Sequence, residues 1–279
     1  MTYFVSLRAG PYGAVCDPYV LQGDGTAVPP AMTPVFWNAL PILARGKDVL
    51  LAAHGFNVSY QDGLQSLGHL EAALAMQPDE LFLGVLWPGD WVIPAINYPF
   101  EDSIASHGGA LLGGFCNRWL ATARSVSFLS HSLGARVVLD AIKATTLPVR
   151  RACITAGAVN ADCLTSEFQA AAQKCGQIRT LSSLEDLVLK FAYPPGDLLA
   201  DMLDPDHQPF EPALGRGGPI APYESTVLPS EIPDAPPYDH GDYFPPSIPV
   251  LPPASPADKW RAAVTFMACA FRGQTPTWP

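Results

Sequence analysis

The chain has 279 residues, 48% of them hydrophobic and 15% charged, with a formal net charge of −10. That size and apolar share suit one or two globular domains, and one α/β domain spanning 1–279 fits comfortably. The acidic residues are scattered as on a solvated surface, which argues against nucleic acid or anionic membrane as the main partner. No apolar run reaches transmembrane length. The start, Met-Thr-Tyr-Phe-Val-Ser-Leu-Arg, lacks the basic, apolar and small-residue parts of a signal peptide, so a cytoplasmic location is expected. The six cysteines, at 16, 116, 153, 163, 175 and 269, form no C-x-x-C pair. No His/Asp/Glu cluster has metal spacing and no phosphate-binding glycine loop occurs, so no metal and no cofactor are expected.

In chain order, residues 2–8 alternate like a strand, and Gly10-Pro11-Tyr12-Gly13 follows as a turn. A helix is predicted within 34–45, and residues 1–45 read as an N-terminal strand and helix extension. Asp48–Ala53 is continuously apolar after its first residue, the signature of a strand buried on both faces, and it ends at His54-Gly55-Phe56. A helix is predicted over 62–76. Leu81–Leu86 is a second buried strand, ending at Trp87-Pro88-Gly89-Asp90. A long helix is predicted over about 101–122, a strand over 125–130 and a helix from there to about 143. Strands at 152–156 and 178–182 enclose a helix-like stretch at 165–174, and 257–271 reads as a closing amphipathic helix. Buried strands alternating with helices imply a mostly parallel central sheet flanked by helices, with ligands beyond the carboxyl ends of the strands. Residues 204–256 hold 15 of the 30 prolines and few regular patterns. Apolar anchors such as Phe210, Ile220 and Tyr223 favour a packed excursion, a candidate cover, over a disordered loop.

The chemistry centres on Ser132, in Ser130-His-Ser-Leu-Gly134. An apolar strand runs into a tight turn of small residues and then a helix, which is how a nucleophile elbow is built. A serine hydroxyl needs a base to take its proton, and the base needs an acid to hold its tautomer. Two carboxylates, Glu185 and Asp186, directly follow the 178–182 strand; Asp186 is preferred. Only His207 and His240 lie further on. His240 is preferred, because His207 is too close to the acid for an element to separate them. The oxyanion hole then needs two backbone N–H donors, expected from Leu133, after the nucleophile, and from Phe56, after the first buried strand. His54 and His131 read as structural. Trp87, Trp91 and Tyr98 are candidates for an apolar substrate pocket or, equally, ordinary core residues.

These segments resemble the α/β-hydrolase superfamily, its esterase- and lipase-like members in particular. The resemblance covers about 46–272 and rests on Val49–Phe56, Leu86-Trp-Pro88, Ser130–Arg136, the acid at 186 and Asp239–Tyr243. The H-G-F and S-L-G-A-R-V segments look like those of a poorly characterised bacterial group. The resemblance implies cofactor-free hydrolysis of a small-molecule ester through an acyl-enzyme. Other chemistry on the same triad (amide, thioester or C–C hydrolysis, acyl transfer) and a non-catalytic interaction protein remain as alternatives. Two departures stand out: Ser130 occupies the place of the first elbow glycine, and 54 residues separate Asp186 from His240.

Overall fold

A computed structural model describes residues 1–10, 13–90, 94–191, 212–247, 259–276 and 278, with backbone only at 37, 94–102 and 191. Nine strands form one sheet among the described residues: β1 (Thr2–Arg8), β2 (Val15–Gly23), β3 (Met32–Pro34), β4 (Asp48–Ala53), β5 (Glu80–Leu86), β6 (Ser125–His131), β7 (Val149–Thr155), β8 (Ile178–Ser182) and β9 (Val227–Glu231). Their order is β3-β2-β1-β5-β4-β6-β7-β8-β9. From β1 to β9 every neighbour pair is parallel; β2 alone is reversed, pairing antiparallel with β1 and with the edge strand β3.

The helices are α1 (Leu40–Ala44), α2 (Tyr60–Leu74), α3 (Pro94–Trp119), α4 (Gly134–Ala144), α5 (Gln169–Lys174), α6 (Leu187–Phe191), α7 (Leu214–Gly217) and α8 (Lys259–Arg272). α3, α4 and α5 pack in one layer, and α2 and α8 pack against each other in the other. The mostly parallel sheet with flanking helices is the architecture expected from the buried strands. β4 is buried at every position because a central parallel strand is covered on both faces. α2 begins at Ser59, whose side chain accepts the Asp62 N–H at 3.1 Å and so satisfies one of the free donors of the first turn.

Three local readings change. The helix predicted within 34–45 shrinks to a 3-10 turn at 37–39 and the five-residue α1. β2 was not anticipated: it is an antiparallel strand, half-covered over much of its length, and its sequence carries no clean apolar run. β9 was not anticipated either, since Pro229 lies inside it. A proline is tolerated there because β9 is the edge of the sheet, where a missing N–H breaks no ladder.

The described part of the proline-rich stretch, 212–247, is packed. Leu214 and Gly215 N–H groups donate to Val159 and Gly157 at 2.7 and 2.8 Å, and Ile220 N–H to Ala161 at 3.0 Å. Those acceptors follow β7, so the segment lies at the carboxyl end of the sheet before β9 joins the edge.

Candidate active site

β6 delivers Ser132. The serine follows the last strand residue with φ 55°, a left-handed conformation that costs a non-glycine residue about 1–3 kcal/mol. The surroundings hold it there: Ser132 N–H donates to Thr155 O at 3.1 Å, and Ser132 O accepts from Ala135 and Ala158 at 3.0 and 3.2 Å. The sharp turn also explains the small residues. A Cβ on Gly134 would lie 2.4 Å from His54 O, and one on Gly55 would lie 2.9 Å from the Ser132 Cβ. The elbow and the loop after β4 thus touch backbone to backbone. Ser130, in place of the usual glycine, is fully buried within β6.

Asp186 follows β8 by four residues, fully buried. Its Oδ1 accepts the Leu189 N–H at 2.9 Å, in the first turn of α6, and its Oδ2 meets His240 Nδ1 at 2.8 Å. Glu185 turns away: it is half-buried, and its backbone N–H donates to Ser183 Oγ at 3.2 Å. His240 opens a 3-10 turn and is held from behind. Asp239 N–H donates to Asp242 Oδ2 at 2.8 Å, and Lys259 Nζ, at the start of α8, reaches the same carboxylate at 2.7 Å. His240 Nε2 lies 2.7 Å from Ser132 Oγ. The three side chains chosen from the sequence therefore stand in one hydrogen-bonded line. His207 lies outside the described residues.

The loop after β4 carries Phe56 beside the elbow. Leu133 N–H makes no hydrogen bond among the described residues, and it opens the first turn of α4, where the helix dipole favours negative charge. Trp87 is a correction: it is fully buried, its indole N–H donates to His54 O at 2.8 Å, and its ring stacks on His54 at 5.7 Å. It braces the loop from beneath and has no face left for a substrate. Trp91 lies outside the described residues, and at Tyr98, in α3, only the backbone is described.

Two residues acquire roles that the sequence alone did not assign. His131 Nε2 lies 2.7 Å from His240 O. Tyr243 is buried beside Asp186; burial first, and the carboxylate second, raise its pKa well above 10.0. The only sequence signal for either was proximity, to Ser132 for one and His240 for the other. Among the described residues, no group of three or more His, Cys, Asp or Glu side chains is placed to hold a metal ion, and no helix is long and apolar enough to cross a membrane.

Burial holds His54 and His131 neutral. Their pKa values fall from 6.5 to about 4 and about 3, with Arg8 adding to the effect on His54 and His240 to that on His131. The unfolded chain takes up these protons below about pH 6.5, while the folded chain refuses them until much lower. Stability is therefore full above that pH and falls as pH drops, by up to about 1.4 kcal/mol per unit for each histidine. Asp48, held at about 2 first by its hydrogen bond to Arg124, loses its contribution only at lower pH. Urea unfolding between pH 7.5 and 4.5 spans the histidine range, with Glu71, whose carboxyl burial pushes up, working in the opposite direction; a flat profile there would show that these imidazoles are not buried as described.

Residues 38–192, more than half of the chain, match the family described as "Alpha/beta hydrolase of unknown function (DUF900)". The match includes Ser132 and Asp186 and ends before His240. No curated protein matches. Among solved structures, an esterase from Pyrobaculum calidifontis aligns at 9% identity with a TM-score of 0.46, over 97% of this chain and 84% of its own. Acetyl xylan esterase 1 from Thermoanaerobacterium sp. aligns at 15% and 0.38, over 82% and 76%. MenH from S. aureus aligns at 11% and 0.33, over 67% and 85%.

Proposed function

The chain belongs to the alpha/beta-hydrolase family of unknown function (DUF900), and from that premise we propose that it is a serine carboxylic-ester hydrolase working through an acyl-enzyme. The observation that supports this reading is the pair of hydrogen bonds joining Ser132 Oγ to His240 Nε2 and His240 Nδ1 to Asp186 Oδ2, at 2.7 and 2.8 Å.

Ser132 Oγ attacks the ester carbonyl carbon while His240 Nε2 takes the hydroxyl proton. Asp186 keeps the other ring proton on Nδ1, so that Nε2 is the basic nitrogen, and stabilises the imidazolium. Phe56 and Leu133 N–H groups face the oxyanion. The tetrahedral adduct collapses, the C–O bond to the alcohol breaks, and His240 gives its proton to the leaving oxygen. Water, deprotonated by the same base, then releases the acid. The chain works as one hydrolase unit over 1–279, needs no cofactor, and acts in the cytoplasm on a small-molecule ester. The excursion's described part, 212–238, covers the acyl side of the site and limits it to about C2–C8 or small aromatic acyl groups, as a pocket of a few hundred Å³ would, and Trp91 and Tyr98 are proposed to bind substrate.

The test is turnover of p-nitrophenyl esters from acetate upward, run beside anilides and thioesters, with fluorophosphonate labelling of the same preparation. Labelling with ester turnover that peaks at short or medium chains is expected. Faster thioester or anilide turnover would move the protein to another acyl-transfer chemistry. Absence of both labelling and turnover would leave a hydrolase fold without catalysis.

A further inference from the structure

The base reaches the nucleophile from a long excursion. His240 lies 108 residues after Ser132, on a single 3-10 turn within the proline-rich stretch. The bonds at Asp242 hold the turn's own shape, whereas proton transfer needs the imidazole within hydrogen-bond reach of Oγ. One contact ties the two ends together without passing through the excursion. His131, the residue before the nucleophile, places Nε2 at 2.7 Å from the backbone carbonyl of His240. Its ring lies 4.8 Å from the His240 ring and packs against Tyr243 and Phe244 at 5.9 and 5.4 Å. On the other side it meets the loop after β4, where a Cβ on Gly55 would lie 3.0 Å from His131 Nδ1.

Building on the proposed triad, we infer that His131 is a positioning residue, which fixes the offset between Ser132 Oγ and the His240 imidazole by donating its Nε2–H to the His240 carbonyl. A carbonyl only accepts, so the contact requires the Nε2–H tautomer. Burial keeps the ring neutral, with its pKa lowered to about 3, so the tie does not change with pH while the enzyme works. The sidedness of the elbow makes the arrangement possible: Ser132 and His131 are consecutive, yet both reach the same turn, one through the imidazole and the other through the backbone.

Two variants separate donation from packing. His131→Phe keeps an aromatic ring against Tyr243 and Phe244 but has no donor; His131→Gln keeps an amide donor. The phenylalanine variant should lose about 10- to 100-fold in kcat and in fluorophosphonate labelling rate, with KM within about 2-fold, since a misplacement of about 1 Å costs up to about 100-fold. The glutamine variant should regain most of the loss. Wild-type kcat and labelling rate in the phenylalanine variant, or a folded glutamine variant as impaired as it, would overturn the inference. The wild-type protein supplies a readout that needs neither turnover nor a folded variant: side-chain 15N shifts should place His131 in the neutral Nε2–H form from pH 8 to 5. An Nδ1–H tautomer, or protonation within that range, would rule out the tie whether or not the protein hydrolyses esters. Conversely, Nε2–H at His131 in a protein that no fluorophosphonate labels would leave the tie standing and defeat the catalytic reading alone.

Discussion

Replacing Ser132 by alanine should abolish fluorophosphonate labelling and lower ester kcat by at least about 1,000-fold, leaving the fold intact. The size follows from the role: without the nucleophile, the base and oxyanion donors retain only a small part of the rate enhancement. Stability should change little. Ser132 Oγ hydrogen-bonds to His240 alone among the described residues, and alanine carries the same cost at φ 55° as serine. Ser132→Gly provides an internal control: equally inactive, but relieved of backbone strain, it should unfold at a higher urea concentration than Ser132→Ala. Near-wild-type turnover in folded Ser132→Ala, or labelling at the fully buried Ser130, would sink the mechanism.

Asp186→Asn should lower kcat by about 10³- to 10⁴-fold, while Glu185→Gln should stay within about 3-fold of wild type. The asparagine amide can donate where the carboxylate accepted. It then favours the tautomer with the proton on His240 Nε2, which cannot take a proton from serine. Besides His240, the buried carboxylate accepts only the Leu189 N–H among the described residues, so asparagine fits without a large rearrangement and the loss belongs to chemistry. Glu185 has no hydrogen bond to the base and sits half in solvent. His240→Ala should match the Ser132→Ala loss for the same reason: Ser132 Oγ would lose its proton acceptor. Steady-state kinetics on one short-chain ester decides all three, and a Glu185→Gln enzyme worse than Asp186→Asn would show the acid to be misassigned.

The local pattern around Ser132 carried most of what the sequence could determine. A strand buried on both faces carries apolar and small residues, a sharp elbow is flanked by small residues, and the helix after it is amphipathic; β6, the turn and α4 show all three within about 20 residues. The same reasoning located β4, β5, β7 and β8 and the loop at His54-Gly55-Phe56. It could not reach the sheet's edges. β2, one strand in from the β3 edge, is partly exposed, and the edge strand β9 contains Pro229, so neither follows the buried or the strictly alternating pattern. Tertiary structure alone decided the rest, because those choices depend on directions in space. Glu185 and Asp186 are consecutive, and only the start of α6 turns one of them inward onto His240. Trp87 lies on a loop beside the site, but packing against His54 takes its whole surface. His131 contacts a carbonyl 109 residues away, a separation over which composition and periodicity carry no information and only the closed fold does.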